Sequence, residues 1–261
     1  MINILNKIAR HKLLELGEAK RKVPLEKLQQ LKFYKRTCLS AKQSIAQSQN
    51  GIIAEFKRKS PSQPNINLGA KVEQVIKDYS DNAAAAISIL TDQKYFGGSF
   101  NFLEQARDND TPLLCKEFII DSYQIHQAKA HGADFILLIA TLLSKTQIRE
   151  FTKIAKDLGL EVLLEFHAGE EFEKLIDEVD LIGINNRNLK TFEVNLQHSI
   201  TMRNRLPAER LVIAESGIHS VEDYKLLKQN GFDGFLIGEY FMKQENPGQA
   251  LKHFIQSINE N

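Results

Sequence analysis

From Gly51 onward the chain alternates short apolar runs with amphipathic segments. The apolar runs at 52–56, 84–90, 113–115, 134–139, 161–164, 181–184, 211–214 and 234–237 predict strands. Their starts fall about 20–35 residues apart, room for a strand, a loop, a helix and a second loop each time. The runs are almost continuously apolar rather than alternating, which predicts a parallel sheet covered on its faces by helices. Eight such units are the count of a closed (β/α)₈ barrel. An open doubly wound sheet could hold the same units, and periodicity alone does not choose between them.

Upstream of Gly51 the pattern is helical. Ile4, Ile8, Leu13 and Leu16, then Leu25, Leu28 and Leu31, form apolar stripes between Lys, Arg and Glu. Pro24 suits the first turn of a second helix. The basic residues here read either as an anion-binding arm or as the solvated faces of helices packed on the main domain, and the second reading is favoured. The expected organisation is a helical extension over 1–48 on a barrel over 49–261, together a single domain with no low-complexity linker.

Local punctuation supports these elements. Gly132, Gly159 and Gly231 each stand between an amphipathic segment and an apolar run, where a helix ends in left-handed geometry. Asp121 with Gln124, Ser144 with Gln147, and Ser220 with Asp223 stand at the spacing of helix amino-terminal caps.

The ends of the predicted strands are polar: Glu55 and Lys57, Thr91 and Asp92, Lys116, Thr141, Glu165, Asn185 and Arg187, Glu215 and Ser216, Gly238 and Glu239. In a barrel the carboxyl ends of the strands share one mouth, so these side chains become neighbours. Lys beside Glu, partly buried, suits general acid–base chemistry because burial and mutual charge tune both groups. Nothing resembles a nucleophile elbow, a Cys–His pair or a dinucleotide fingerprint. His167 has no second His or Cys at ligand spacing, so a hydrogen-bonded or surface histidine is favoured over a metal ligand. The small residues of Ala214-Glu215-Ser216-Gly217 and Ile237-Gly238-Glu239-Tyr240 follow the last two strands, where barrels often hold phosphate.

Composition narrows the partners. Lys+Arg number 34 against 33 Asp+Glu, a net charge of +1, so no global field points to nucleic acid. No apolar run approaches the roughly 20 residues of a membrane span, and Met1–Lys7 lacks the apolar core of a signal peptide. Cys38 and Cys115 make neither a disulfide framework nor a metal pattern and are expected to be reduced thiols in the cytoplasm.

Several ordered motifs then carry a resemblance. Ile52-Ile53-Ala54-Glu55-Phe56-Lys57 runs through Arg58 and Lys59 into Ser60-Pro61-Ser62; Ile89-Leu90-Thr91-Asp92 precedes Phe96-Gly97-Gly98-Ser99. Cys115-Lys116-Glu117-Phe118, Leu164-Glu165, Gly183-Ile184-Asn185-Asn186-Arg187-Asn188-Leu189 and Ala214-Glu215-Ser216-Gly217-Ile218 follow. Over essentially its whole length the chain resembles the indole-3-glycerol phosphate synthases of tryptophan biosynthesis. The resemblance implies a (β/α)₈ barrel and a carbon–carbon lyase (carboxy-lyase) needing no cofactor and no metal. It also implies a phosphorylated small-molecule substrate, 1-(2-carboxyphenylamino)-1-deoxyribulose 5-phosphate, and a monomer or weak homodimer with neither nucleic acid nor membrane as partner.

By the same resemblance Lys116 is the general acid of ring closure, with Glu55, Lys57 and Glu165 available for the later dehydration. Asn185 and Glu215 position hydroxyls and hold the lysines charged. Arg187 and Lys57 meet the substrate's anions; Ser60, Ser216, Gly217, Gly238 and Glu239 match the phosphate pocket; Phe96, Phe118 and Leu137 line the slot for the aromatic ring. Lys59 has no assigned role. Glu117, where the family commonly has Asp, Ser122 in place of a common Pro, the Glu239-Tyr240 pair and a short helix between His167 and Leu181 depart from the pattern.

Overall fold

The computed structural model describes residues 4–188 and 193–260. Leu189 of the predicted motif and Met1 to Asn3 lie outside the described residues. Three helices come first: α1 (Ile4–Lys22), α2 (Leu25–Leu28) and α3 (Ala41–Gln47). Eight strands follow: β1 (Ile52–Phe56), β2 (Ala86–Leu90), β3 (Leu113–Lys116), β4 (Phe135–Ile139), β5 (Glu161–Phe166), β6 (Leu181–Asn185), β7 (Val212–Glu215) and β8 (Gly234–Ile237). They pair in parallel in sequence order, and β1 pairs with β8, so the sheet closes into a barrel. Closure settles what periodicity left open.

Between the strands lie α4 (Val72–Asp81), α5 (Gln93–Phe96), α6 (Phe100–Gln105), α7 (Ser122–Ala130), α8 (Lys145–Asp157), a 3₁₀ helix at Gly169–Lys174, α9 (Leu196–Arg203) and α10 (Val221–Gln229). Helices α11 (Glu239–Met242) and α12 (Pro247–Asn259) follow β8. The segment after His167 is indeed short, a 3₁₀ turn rather than a full α-helix. The predicted second helix is shorter than its leucine stripe suggested: α2 spans four residues, with Pro24 as its N-cap rather than inside its first turn.

Side chains on a strand alternate between faces, and that alternation builds the molecule. Ile53, Leu114, Leu137, Leu163, Ile213 and Leu236 form the apolar filling of the barrel. Their neighbours Ile52, Ala54, Cys115, Ile136, Leu164, Val212 and Phe235 face outward into the larger core beneath the helices. One step of two residues from the filling toward the carboxyl ends reaches Glu55, Lys116, Ile139, Glu165, Glu215 and Gly238. The functional layer thus stands directly on the apolar one.

The extension spans the barrel from top to bottom. Ala41 and Ile45 of α3 join the apolar filling and stop its lower end. Leu16 and Leu28 pack with Tyr123 and Ala130 of α7 along the side. Leu5 and Ile8 of α1 reach the upper mouth.

The terminal signals hold where their chemistry is complete. Asp121–Gln124 and Ser144–Gln147 form reciprocal capping boxes, and Gly132, Gly159 and Gly231 take positive φ. At the third site Ser220 accepts from the Asp223 N–H, but the Asp223 carboxylate accepts from the His219 N–H instead of closing the box.

Asp134 ties extension and barrel together from below. Fully buried, it accepts from Arg36 and Arg107 at 2.5 Å each and from the backbone N–H groups of Leu39 and Leu113 at 2.8 Å each. Its removal leaves two guanidinium charges without a carboxylate and the Leu39 and Leu113 N–H groups without their acceptor. Asp134→Ala is therefore expected to lose about 3–5 kcal/mol in urea unfolding; a loss under about 1 kcal/mol would contradict this structural role.

Candidate active site

The carboxyl ends of the strands enclose a cavity of about 170 Å³. Its floor is the Lys116 ammonium at the end of β3, 16% exposed. Nζ donates to Glu215 Oε2 in a very short contact and lies 3.4 Å from Glu165 Oε2. Glu55, near the end of β1, and Lys57, just past it, form a second pair at 2.6 Å. Burial works against charge on Lys116, but Glu215, Glu165 and Glu55 outweigh it and raise its pKa. The lysine stays a proton carrier.

Two carboxylates around one ammonium do not titrate alike. Burial pushes Glu165 up, but Lys116 and His167 pull it further the other way, well below the usual carboxylate range. Glu215 is deeper, fully buried, and has one oxygen, Oε1, with no hydrogen-bond partner. Burial, joined by repulsion from Glu165, lifts it to about 8 against the pull of Lys116.

Glycines make room for these acids. A Cβ on Gly183 would stand 2.2 Å from Glu215 Oε1, and one on Gly238 2.5 Å from Glu55 Oε1. Any side chain at either place displaces a carboxylate from the floor.

Nearly all the residues picked out from sequence meet here. Glu55, Lys57, Ser60, Phe96, Lys116, Phe118, Leu137, Glu165, Asn185, Arg187, Ser216, Gly217, Gly238 and Glu239 line the cavity. Glu215 lies beneath the lining and acts on the cavity through Lys116. Phe96 and Phe118 face each other with ring centroids 5.8 Å apart, and with Leu137 they form an apolar wall. Asn185 accepts the Arg187 N–H at 3.0 Å, shaping the turn that carries Arg187. Ser216 and Gly217 both take positive φ, reversing the chain directly after β7, and Asn186 Nδ2 donates to the Ser216 carbonyl at 2.6 Å. The Glu239 carboxylate is paired with Lys243 at 2.6 Å.

Other residues gain a different meaning. Lys59 donates to the Lys94 carbonyl at 3.0 Å and packs on Gly97, bracing two loops. Glu117 turns away from Lys116; it accepts from Thr91 at 3.0 Å and from the Phe118 N–H at 2.8 Å, and pairs with Lys12 of α1 at 3.2 Å. Lys12 also meets Asp92 at 3.0 Å and Glu15 at 2.6 Å. This buried lysine fixes α1, whose Ile4, Leu5 and Ile8 complete the cavity wall. Sequence reasoning read that stripe as packing only; the single signal was a lysine on its apolar side. His219 was also missed, and its strand-end position does not distinguish it from a solvated residue. Cys115 is fully buried among outward-facing residues and its thiol is pushed up by burial, so it offers the mouth no acid or base.

Comparison with known proteins gives this geometry its context. A model of the indole-3-glycerol phosphate synthase family matches residues 5–254. The chain belongs to the indole-3-glycerol phosphate synthase family. A relative of that name from Bacteroides thetaiotaomicron is 44% identical, covering 99% of this chain and 100% of its own length. One from Legionella pneumophila strain Paris is 40% identical over 97% and 98%. Among solved structures, thiamine phosphate pyrophosphorylase from Pyrococcus furiosus superposes with a TM-score of 0.60 at 15% identity, covering 80% of this chain and 95% of that one. A tryptophan synthase α-subunit mutant from the same organism gives 0.60 at 15%, covering 81% and 98%. At that identity the likeness is one of fold alone.

The raised Glu215 in this synthase-family site has a measurable consequence. Unfolded, the carboxyl ionises near its ordinary 4.5, whereas folded it keeps its proton to about 8. Between those values the native state binds more protons, so rising pH costs stability. Glu215→Gln removes that cost. Its melting temperature relative to the native chain should climb as pH rises from about 5 to about 8; a difference flat with pH would contradict the assignment.

Proposed function

We propose that this mouth closes an indole ring. The chain is an indole-3-glycerol phosphate synthase, converting 1-(2-carboxyphenylamino)-1-deoxyribulose 5-phosphate to indole-3-glycerol phosphate, CO₂ and water in tryptophan biosynthesis. The observation that carries the residue-level reading is Lys116, a charged proton donor held by the buried Glu165 and Glu215 at the cavity floor.

In the proposed sequence Lys116 protonates the ketone oxygen as the ring carbon bearing the carboxylate attacks the carbonyl carbon. Loss of CO₂ returns its bonding electrons to the ring and restores aromaticity. Dehydration then removes the new hydroxyl as water and a proton from the neighbouring carbon. One group must give a proton and another take one; Glu165, with Glu55 and Lys57, supplies them. The ordinary rate advantage of holding both ends of a flexible substrate applies, because that brings the aromatic carbon against the ketone carbon it must attack.

The binding assignments follow from placement. The apolar wall of Phe96, Phe118 and Leu137 suits the aromatic ring. Arg187 and Lys57 suit the anionic groups. Ser60, with the loops of Ser216–Gly217 and Gly238–Glu239 after β7 and β8, suits the phosphate, as loops there commonly do. Asn185 suits a substrate hydroxyl. Every group comes from one chain, which fits a protein acting as a monomer, and two free thiols fit the reducing cytoplasm. The extension 1–48 works as part of the same unit as the barrel 49–261, since it supplies part of the cavity wall.

Among the described residues no helix is long and apolar enough to cross a membrane, and no cluster of His, Cys, Asp and Glu could hold a metal ion.

Lys116→Met keeps the length and bulk of the side chain while removing the proton. Indole formation should vanish, while substrate binding, read by fluorescence titration, persists. Full turnover by this variant would refute Lys116 as the acid.

A further inference from the structure

His167 stands two residues beyond Glu165, at the cavity wall, with a side chain 9% exposed. Its environment fixes where its protons sit. Thr141 Oγ1 has a single proton and donates it to Glu171 Oε1 at 2.6 Å. Glu171 Oε2 accepts the backbone N–H groups of His167 at 2.8 Å and Ala168 at 3.3 Å, so this carboxyl acts only as an acceptor. Thr141 Oγ1 can therefore only accept from His167, whose Nδ1 lies 3.3 Å away and must carry a hydrogen.

The other ring nitrogen, Nε2, is 3.0 Å from Glu165 Oε1. It is buried, and its N–H is not aimed squarely at that oxygen, so the contact is an ion pair rather than a straight hydrogen bond. A bare lone pair on Nε2 would face the carboxylate at 3.0 Å and repel it. Lys116 holds Glu165 ionised against its burial, so Oε1 faces Nε2 as an acceptor.

We propose that His167 is a positioning residue for Glu165: held by Thr141 at Nδ1, it presents an N–H at Nε2 to Oε1 so that Oε2 faces Lys116 and the reacting substrate. The ordered chain is Glu171, Thr141, His167, Glu165, and its far end is anchored in the backbone at the start of the 3₁₀ helix. The proposal rests on the reading of Glu165 as an acid–base group in dehydration.

Two measurements on the full chain test it. Nitrogen-15 NMR of the imidazole at pH 7 should show Nε2 protonated in the native protein and unprotonated in Glu165→Gln. A bare Nε2 in the native protein would overturn the proposal. In kinetics, His167→Ala should lower kcat roughly 10- to 100-fold with KM little changed, and His167→Gln, which restores an N–H near Nε2, should recover part of the loss. A merely structural histidine would lower the melting temperature in both variants and leave kcat alone. Unchanged kcat in the folded His167→Gln and His167→Ala variants, with Glu165→Gln inactive, would also overturn it. Full turnover by Glu165→Gln would instead remove the acid–base role of Glu165 itself, whatever the imidazole shows.

Discussion

One buried ammonium, held between two glutamates, governs the mouth of this barrel. Taking Lys116 out of water is unfavourable unless its charge is met; the ionised Glu165 meets it from β5, and Glu215 accepts its hydrogen bond from β7. Those strands are far from β3 in sequence, so only a closed barrel brings all three to one point. Closure in turn needs the apolar layer of Ile53, Leu114, Leu163 and Ile213 below. Gly183 must lack a side chain because Glu215 fills its space. Fold and chemistry meet in that arrangement, since the acid proposed to start ring closure is also the cation that lets two glutamates be buried.

The same economy shapes the extension. Glu117 stands beside the principal lysine in sequence, yet successive residues on a strand face opposite ways, and its carboxylate points to α1 instead. There Lys12 gathers Glu117, Asp92 and Glu15. Burial opposes the charge of Lys12, but Glu117 and Asp92 more than offset it. An ion pair of this kind fixes position more than it adds stability. What it positions is the apolar face of α1 against the cavity, so the segment before the barrel takes part in enclosing the substrate.

Much of this was legible in the sequence, for reasons that can be named. Buried parallel strands are apolar on both faces, so they stand out as runs, and their polar ends mark the mouth. Boundaries moved by a residue or two; β2 starts at Ala86 because Ala84 and Ala85 precede the ladder, the latter donating to Ile52. Closure was not legible in the periodicity, since the β1–β8 pairing joins the two ends of the barrel and leaves no local trace; only the family resemblance implied it. Helix α2 is shorter than the leucine stripe over 25–31: its last residue Leu28 is buried, but Leu31 is exposed, so no packing extends the helix by another turn. His167 was visible as Glu-x-His, one residue past the end of β5. Its meaning depended on Thr141 and Glu171, which no spacing rule connects to it. Lys12 looked like one more charge on a solvated helix, and only tertiary contact with Glu117 and Asp92 sets it apart.

The central claim is that this mouth makes an indole. Mixing the purified protein with 1-(2-carboxyphenylamino)-1-deoxyribulose 5-phosphate and following indole fluorescence alongside released CO₂ tests it most directly. The account predicts that the two products appear together, one for one, until the substrate is consumed. A folded protein that binds the substrate and yields neither would contradict it.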